Sequence, residues 1–203
     1  MSSEVPERRR RADAERSRTA VLDAAIRLFA EQPDAGMAAV ARTANVTRQT
    51  VYAHYRSREE LLIAVMDRLT EEAVTAMDAA ALDSGPAPDA LLRLLDTSWR
   101  LSERHPVIHQ AATLPAAREI DRSRHEPVTD RLVRLIERGQ HAGEFDASQT
   151  PSWLAATVVA LGHAAGEEAA SGRMTHDAAA AALRVSVLRV LGATAHPGQP
   201  PTT

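Results

Sequence analysis

The 203-residue sequence contains no cysteine and no lysine, and only 3% of its residues are aromatic. Without cysteine, the chain has neither a disulfide framework nor thiolate chemistry. All 24 basic residues are arginines, which we interpret as the codon bias of a GC-rich genome. Because there are two residues each of Trp, Tyr and Phe, the core must be built mainly from Ala, Leu and Val. The scarcity of glycine favours helix over strand.

Several functional signatures are also missing from the sequence. No apolar run reaches membrane-spanning length and no signal-peptide pattern occurs, so we expect a cytoplasmic protein. No nucleophile elbow, phosphate-binding loop, dinucleotide fingerprint or zinc-binding helix motif is present, so we expect no enzyme and no cofactor. His105 and His109 have the i, i+4 spacing of a metal-ligating pair, but no third ligand is evident nearby, so we expect no metal.

The charges are distributed unevenly along the chain. The net charge is −3, yet residues 1–58 contain 11 arginines against 7 acidic residues, whereas residues 59–203 contain 13 against 20. A molecule with a basic end and an acidic body presents the basic end to a polyanion. The distribution alone is weak support for a nucleic-acid partner, and it gains weight only if a DNA-binding motif coincides with the basic end.

The apolar periodicity predicts an all-α protein with about nine helices and no strand. Thr47 is a predicted N-cap, and Ser57 with Glu60 forms a predicted capping box. Pro127 is expected to kink or break its helix. Gly172 and Gly192 are predicted to end the last two helices. The helices are expected over residues 12–31, 36–43, 48–55, 57–80, 89–103, a short stretch after Pro106, 116–140, 151–170 and 175–191.

This pattern divides the chain into four predicted regions. A disordered basic arm with the run Arg8–Arg11 precedes a three-helix DNA-binding domain, and a larger helical domain and a disordered tail follow it. The arm would lie in a minor groove or along phosphates, or else be a solvated tail. The four regions are residues 1–12, 13–58, 59–194 and 195–203.

Residues 37–62 carry the most informative motif, two short helices joined by a tight turn. The second helix is polar and basic, as a helix that enters the DNA major groove must be. At fixed spacing around it stand AA…LF (24–29), VA…A (40–44), TxxTVYAHY (47–55) and SREEL (57–61). With these residues the chain resembles the TetR family of transcriptional regulators. The resemblance covers about residues 16–65 in motif detail and the remainder in helical layout.

Two positions depart from the family pattern. The turn position that usually holds glycine is Asn45, and asparagine also tolerates the left-handed conformation. The lysine common after the recognition helix is Arg58, which keeps the positive charge and adds a fork that matches a phosphate. We therefore expect the turn and the anchoring charge to be retained.

On this resemblance, the recognition helix begins with the predicted base contacts Arg48 and Gln49. Arginine can bind guanine bidentately, and glutamine can bind adenine in the same way. Tyr52, one turn later, is predicted to stack on a thymine methyl group or touch a phosphate. The contacts predicted to anchor the DNA backbone without reading its sequence are Thr43, Thr47, Thr50, His54, Tyr55 and Arg58. Two of these have alternative roles, Tyr55 as a core residue and Thr47 as a helix cap.

The resemblance further implies that the larger domain binds a small effector and dimerises. The candidate pocket residues, chosen by type and position, are Trp99, Arg100, Glu103, His109, Arg118 and His163. Because aromatic residues are few, an aliphatic or modestly polar ligand fits better than a planar cationic drug.

The last two helices are apolar on most sides, which independently favours a four-helix bundle between two copies of the chain. Small residues at Ala160, Gly162 and Ala164 would allow close approach, and burial within one subunit is the alternative. The predicted interface residues are Trp153, Val158, Leu161, Ala165, Leu183, Val187 and Val190.

The function expected from these observations is that of a homodimeric repressor, which binds a palindromic operator and is released by a small-molecule effector. An activator or a ligand-independent regulator would use the same residues. A helical ligand-binding or adaptor protein without a specific DNA site is a further alternative, against which the polar helix Arg48–His54 argues. The effector, the operator sequence and the regulated genes are not encoded in these patterns.

Overall fold

The structure, a computed structural model, describes residues 4–105 and 117–193, with side chains for residues 12–105 and 127–193. These residues form eight helices and no strand, which confirms the all-α prediction. None of the described helices is long and apolar enough to cross a membrane. The short helix predicted after Pro106 and the tail over 195–203 lie outside the described residues. The helices are α1 Glu4–Glu31, α2 Met37–Thr43, α3 Arg48–His54, α4 Arg58–Ala79, α5 Ala87–Arg104, α6 Ala117–His141, α7 Pro151–Ala170 and α8 His176–Val190.

The first helix begins earlier than the sequence predicts. α1 starts at Glu4, so the backbone is helical where a disordered arm was predicted. The prediction relied on the absence of apolar periodicity, which is only one of the signals for a helix. The two glutamates and four arginines of this segment nevertheless have a high intrinsic helix propensity.

Most helix ends follow the predicted capping chemistry. The Thr47 hydroxyl accepts a hydrogen bond from the Thr50 amide (3.1 Å), and the Ser57 hydroxyl accepts one from the Glu60 amide (3.0 Å). The Glu60 carboxylate accepts from the Arg56 amide (2.8 Å), one residue before the position that a capping box usually satisfies. Gly172 and Gly192 have φ of 72° and 58° directly after α7 and α8, which confirms them as helix stops. α6 continues through Pro127 without ending.

Two compact units divide the chain inside α4, after Glu71. The first unit contains α1–α3 and the N-terminal part of α4. Its core is formed by Phe29 of α1, Val40 of α2, Val51 of α3 and Leu61 of α4, which are all almost completely buried. The helix-turn-helix is therefore supported from behind by both α1 and α4.

The second unit contains the rest of α4 with α5–α8, and its core is built from aliphatic residues and Phe145. Two arginines fix the loop between α4 and α5. Arg93 donates to the carbonyls of Ala80, Ala81 and Ser84 at 2.7–3.1 Å. Arg138 donates to two further carbonyls of the same loop at 2.7 and 2.8 Å. The C-terminal end of α4 is thus held within this unit by charged donors.

Candidate functional site

The outer face of α3 presents three of the predicted DNA contacts to solvent. Arg48, Gln49 and Tyr52 are exposed, whereas Val51 of the same helix is completely buried. Because Val51 packs in the core, the polar side chains of this seven-residue helix point outward from a rigid support. The arrangement can bring one guanidinium and one amide to base edges at the same time.

Arg48 and Tyr52 contact each other across one turn of α3. The Arg48 Nη2 donates to the Tyr52 hydroxyl at 3.3 Å, and the guanidinium carbon lies 5.3 Å from the centre of the Tyr52 ring. This hydrogen bond raises the pKa of Arg48 above its usual value. Both side chains are exposed, so the pair is formed on the surface that would face DNA.

The predicted threonine contacts take part in local hydrogen bonds. The Thr47 and Thr50 hydroxyls are 2.8 Å apart, and the Thr47 oxygen caps α3, as its alternative role required. Because these two hydroxyls share one hydrogen bond, one hydroxyl proton of the pair is left for an outside acceptor. The Thr43 hydroxyl donates to the Ala39 carbonyl at 3.1 Å. Thr43 would have to give up that bond in order to donate to a phosphate.

Tyr55 lies in the core of the first unit and not on its surface. Its side chain is 2% exposed, and its hydroxyl accepts a hydrogen bond from Nε of Arg18 at 3.4 Å. Burial raises the pKa of the Tyr55 phenol, and the Arg18 hydrogen bond partly opposes that shift. The structure therefore corrects the predicted phosphate contact, because a buried ring closes this small core.

Arg58, which was predicted to anchor a phosphate, has contacts within its own unit. Its guanidinium donates to the Ala35 carbonyl at 3.1 Å and to the Pro33 carbonyl, and it lies 5.1 Å from the centre of the Phe29 ring. These contacts fasten the start of α4 to the loop between α1 and α2. The guanidinium group, whose fork of N–H donors could bind a phosphate, here binds two backbone carbonyls. Arg58 therefore acts in the structure as a clamp between α4 and this loop.

Two residues of α1 contribute to the site without having been predicted. Ser17 Oγ and His54 Nε2 are 3.1 Å apart, and Arg18 contacts the Tyr55 hydroxyl as described above. Both residues therefore hold the C-terminal end of α3. A signal was present in the sequence, since positions 17 and 18 lie one turn before Val21 on the face that packs into the core.

In the second unit, two aromatic side chains and one carboxylate come together between α5 and α8. The rings of Trp99 and His176 are 4.5 Å apart, and His176 Nε2 lies 4.0 Å from a Glu103 carboxylate oxygen. Among the described side chains, Trp99 Nε1 and His176 Nε2 are the buried polar atoms that lack a hydrogen-bond partner. We name Trp99, Glu103 and His176 the α5–α8 cluster. His176 was not a predicted pocket residue.

Two of the other predicted pocket residues, Arg100 and His163, are exposed. Arg100 is exposed and its Nε donates to the Asp96 carbonyl at 3.3 Å. His163 is exposed on α7. His109 and the side chain of Arg118 lie outside the described residues.

The predicted interface residues fall into two groups. Val158, Leu183 and Val187 are buried in the core of their own unit, which is the alternative considered for these helices. They are corrected to core residues, since a helix that is apolar on several sides packs one side within the subunit. Trp153 and Val190 remain exposed, at 63% and 41%. Leu161 and Ala165 are half-buried.

Comparison with known proteins agrees with this architecture. Residues 21–65 match the family model of bacterial regulatory proteins of the tetR family. The chain is 28% identical over 162 residues to the HTH-type transcriptional repressor LfrR of Mycolicibacterium smegmatis, an alignment that covers 80% of this chain and 84% of that protein. The crystal structure of LfrR in complex with proflavine superposes with a TM-score of 0.64 at 27% identity, covering 85% and 94% of the two chains.

A more distant structure shows the same fold. FadR from Bacillus halodurans, a fatty acid degradation regulator, has a TM-score of 0.74 at 14% identity and covers 87% of this chain and 95% of its own. The motif positions, the supported and outward-facing α3 and the similarity to LfrR agree with one another. Residues 21–65 are a DNA-binding domain of the TetR family, and the chain as a whole has the fold of TetR-like transcriptional regulators.

Proposed function

We propose that the protein is a homodimeric repressor that binds a palindromic operator and is released by a small-molecule effector. The observation that carries the DNA-binding role is the exposed face of α3, with Arg48 and Gln49 in its first turn and Tyr52 one turn later. Arg48 and Gln49 supply the base contacts, and Thr43, Thr47, Thr50 and His54 supply contacts to the DNA backbone. Repression is favoured over activation because the similar protein LfrR is described as a repressor.

DNA selected from a random library by the purified protein tests this role. We expect an enriched palindrome with half-sites about one helical turn (~34 Å) apart, or at a related spacing. Arg48→Ala should weaken binding to it by ~1–3 kcal/mol and relax the preference at one base pair. The matched control is Arg134→Ala, which removes an exposed arginine from the second unit. If no sequence is enriched at any salt concentration, the protein does not read an operator.

The dimer part of the proposal is supported by an exposed apolar surface on α7 and α8, two helices that pack against each other. Trp153, Ala156 and Ala160 of α7 are exposed at spacings that place them on one side of the helix. Val185 and Ala181 of α8 are exposed in the same way, and Val185 is 47% accessible. An apolar surface on two adjacent helices is covered in a symmetric four-helix contact with a second copy.

Sedimentation velocity of the full chain tests the dimer. Val185→Glu and Trp153→Glu should shift the protein to monomers, because each introduces a charge into the proposed contact. Ala142→Glu, in the exposed segment after α6, is the control and should leave the dimer intact. A dimer that persists in both of the first two variants would place the interface elsewhere.

The effector is proposed to bind beside the α5–α8 cluster. Buried polar atoms without partners are uncommon in native proteins, and a ligand that accepts a hydrogen bond from Trp99 Nε1 would satisfy one of the two found there. α4 contributes residues to the cores of both units, Leu61 to the first and Met77 to the second. Motion of α4 would then change the spacing of the two recognition helices, and ~1–3 kcal/mol of coupling suffices to change operator occupancy.

Tryptophan fluorescence tests the effector site. The Trp153→Phe variant leaves Trp99 as the single tryptophan, and proflavine is the probe because the LfrR structure contains it. Quenching of Trp99 that weakens in Glu103→Gln and His176→Asn, together with release of operator DNA, would support the site. Quenching that both variants leave unchanged would place the compound elsewhere.

A further inference from the structure

The contact between Arg48 and Tyr52 restrains the arginine side chain on the exposed surface of α3. Arginine is long and flexible, and an unrestrained guanidinium on the protein surface must lose many rotamers when it binds a base. Tyrosine has two side-chain torsions and offers a comparatively rigid ring. With the guanidinium carbon 5.3 Å from the ring centre, the cation lies over the aromatic face, where the ring quadrupole attracts it.

The geometry also leaves the arginine able to bind a base. The guanidinium has five N–H donors, and the hydrogen bond to the Tyr52 hydroxyl, 3.3 Å long, engages one of them. A bidentate contact with guanine needs two of the remaining donors. The tyrosine therefore restrains Arg48 without consuming its capacity for recognition.

We propose that Tyr52 is a positioning residue that holds the Arg48 guanidinium in its reading orientation, so that its effect on operator affinity is exerted through Arg48. The proposal rests on the proposed operator binding and refines the role of Tyr52. A direct contact between Tyr52 and a base or phosphate is the competing role, and it makes different predictions for combined substitutions.

A double-mutant cycle on the full chain separates the two roles. The probe is the duplex that the wild-type protein enriches from a random library. Arg48→Ala should weaken binding about 5- to 150-fold. Tyr52→Ala should weaken it about 5- to 10-fold in the wild-type background but less than about twofold in the Arg48→Ala background. Equal losses in both backgrounds would overturn the proposal.

Base preference and a conservative variant provide a readout that a purely structural role would not change. Tyr52→Ala should relax the preference at the same base pair as Arg48→Ala, because both variants lose the same reader. Tyr52→Phe keeps the aromatic face and should lose only about two- to threefold in affinity with the preference retained. Relaxation at a different base pair would show that Tyr52 reads its own base and would overturn the proposal.

A second cycle that pairs Gln49→Ala with Tyr52→Ala serves as the control. Gln49 has no charge for the ring to hold, so the losses from these two substitutions should add. Strong coupling in this control would mean that the substitutions distort α3 as a whole, which would also overturn the proposal. If the wild-type protein enriches no sequence, the proposed operator binding fails first, and that outcome is distinct from additivity of Arg48 and Tyr52.

Discussion

Replacement of Arg58 by alanine distinguishes a phosphate anchor from the clamp seen in the structure. The substitution removes two hydrogen bonds from a charged donor to the Ala35 and Pro33 carbonyls, and it removes the contact with the Phe29 ring. A hydrogen bond from a charged group contributes ~1.5–3 kcal/mol, less where it is solvent-exposed, and an exposed cation–π contact contributes ~0.5–1 kcal/mol. Because one of the two bonds is exposed, we expect a loss of ~2–4 kcal/mol in the stability of the first unit.

Hydrogen exchange with mass spectrometry is the suitable assay, because neither tryptophan lies in the first unit. Amides of α2 and the start of α4 should exchange faster in Arg58→Ala by the factor that corresponds to this free energy. Arg58→Lys should recover less than half of the stability, since an ammonium group lacks the planar fork. Arg56→Ala is the matched control, because it removes a neighbouring arginine that is exposed.

DNA binding provides the opposing measurement. A clamp predicts that the salt dependence of operator binding is unchanged in Arg58→Ala under conditions where the variant is folded. A phosphate contact predicts that the slope of log K against log salt falls by about one, with little change in stability. That second result would refute the clamp.

Three further predictions concern packing, charge and the turn. Gly139→Ala places a Cβ atom 2.6 Å from a Phe145 ring carbon and should destabilise the second unit by ~1–3 kcal/mol in urea unfolding followed by tryptophan fluorescence; a loss below ~0.5 kcal/mol would contradict the close packing. The hydrogen bonds from Arg131 lower the pKa of Asp78, so Arg131→Met should return it toward 3.8 in a carboxyl NMR titration. Because the pKa of Asp78 is lower in the folded than in the unfolded state, its carboxylate stabilises the folded state at a pH above the unfolded-state pKa. This stabilisation is lost as the pH falls through the folded-state pKa, so the stability difference between wild type and Arg131→Met should shrink below pH 3.8. Asn45 has φ of 55°, so Asn45→Ala should destabilise the helix-turn-helix by ~1 kcal/mol, measured by hydrogen exchange of α2 and α3, whereas Asn45→Gly should not.

The sequence predicted helix ends best where a single side chain decides them. Thr47, Ser57, Gly172 and Gly192 act within one turn of their own position, so their effect can be read without knowledge of the fold. The start of α1 was predicted poorly for the complementary reason. Intrinsic propensity favours helix there, and apolar periodicity gives no signal for it.

The site residues divide in the same way. The exposure of Arg48 and Gln49 could be expected, because both are polar residues in the first turn of α3. The role of Arg58 could not be expected, since its partners are carbonyls at positions 33 and 35, more than twenty residues away in the chain. No local pattern encodes which carbonyls a long cationic side chain will reach.

By itself, the sequence determined the all-α class, the resemblance to the TetR family, the helix-turn-helix and the polar character of its second helix. These follow from the period of apolar residues and from capping and turn residues, which are local properties of the chain. Only the tertiary structure decided which polar residues remain available to a partner. It buried Tyr55, used Arg58 as a clamp, paired Arg48 with Tyr52 and brought His176 to Trp99. Those outcomes depend on contacts between elements that are distant in sequence, or on which of several nearby partners a side chain contacts. Both are determined by the packing of the folded chain.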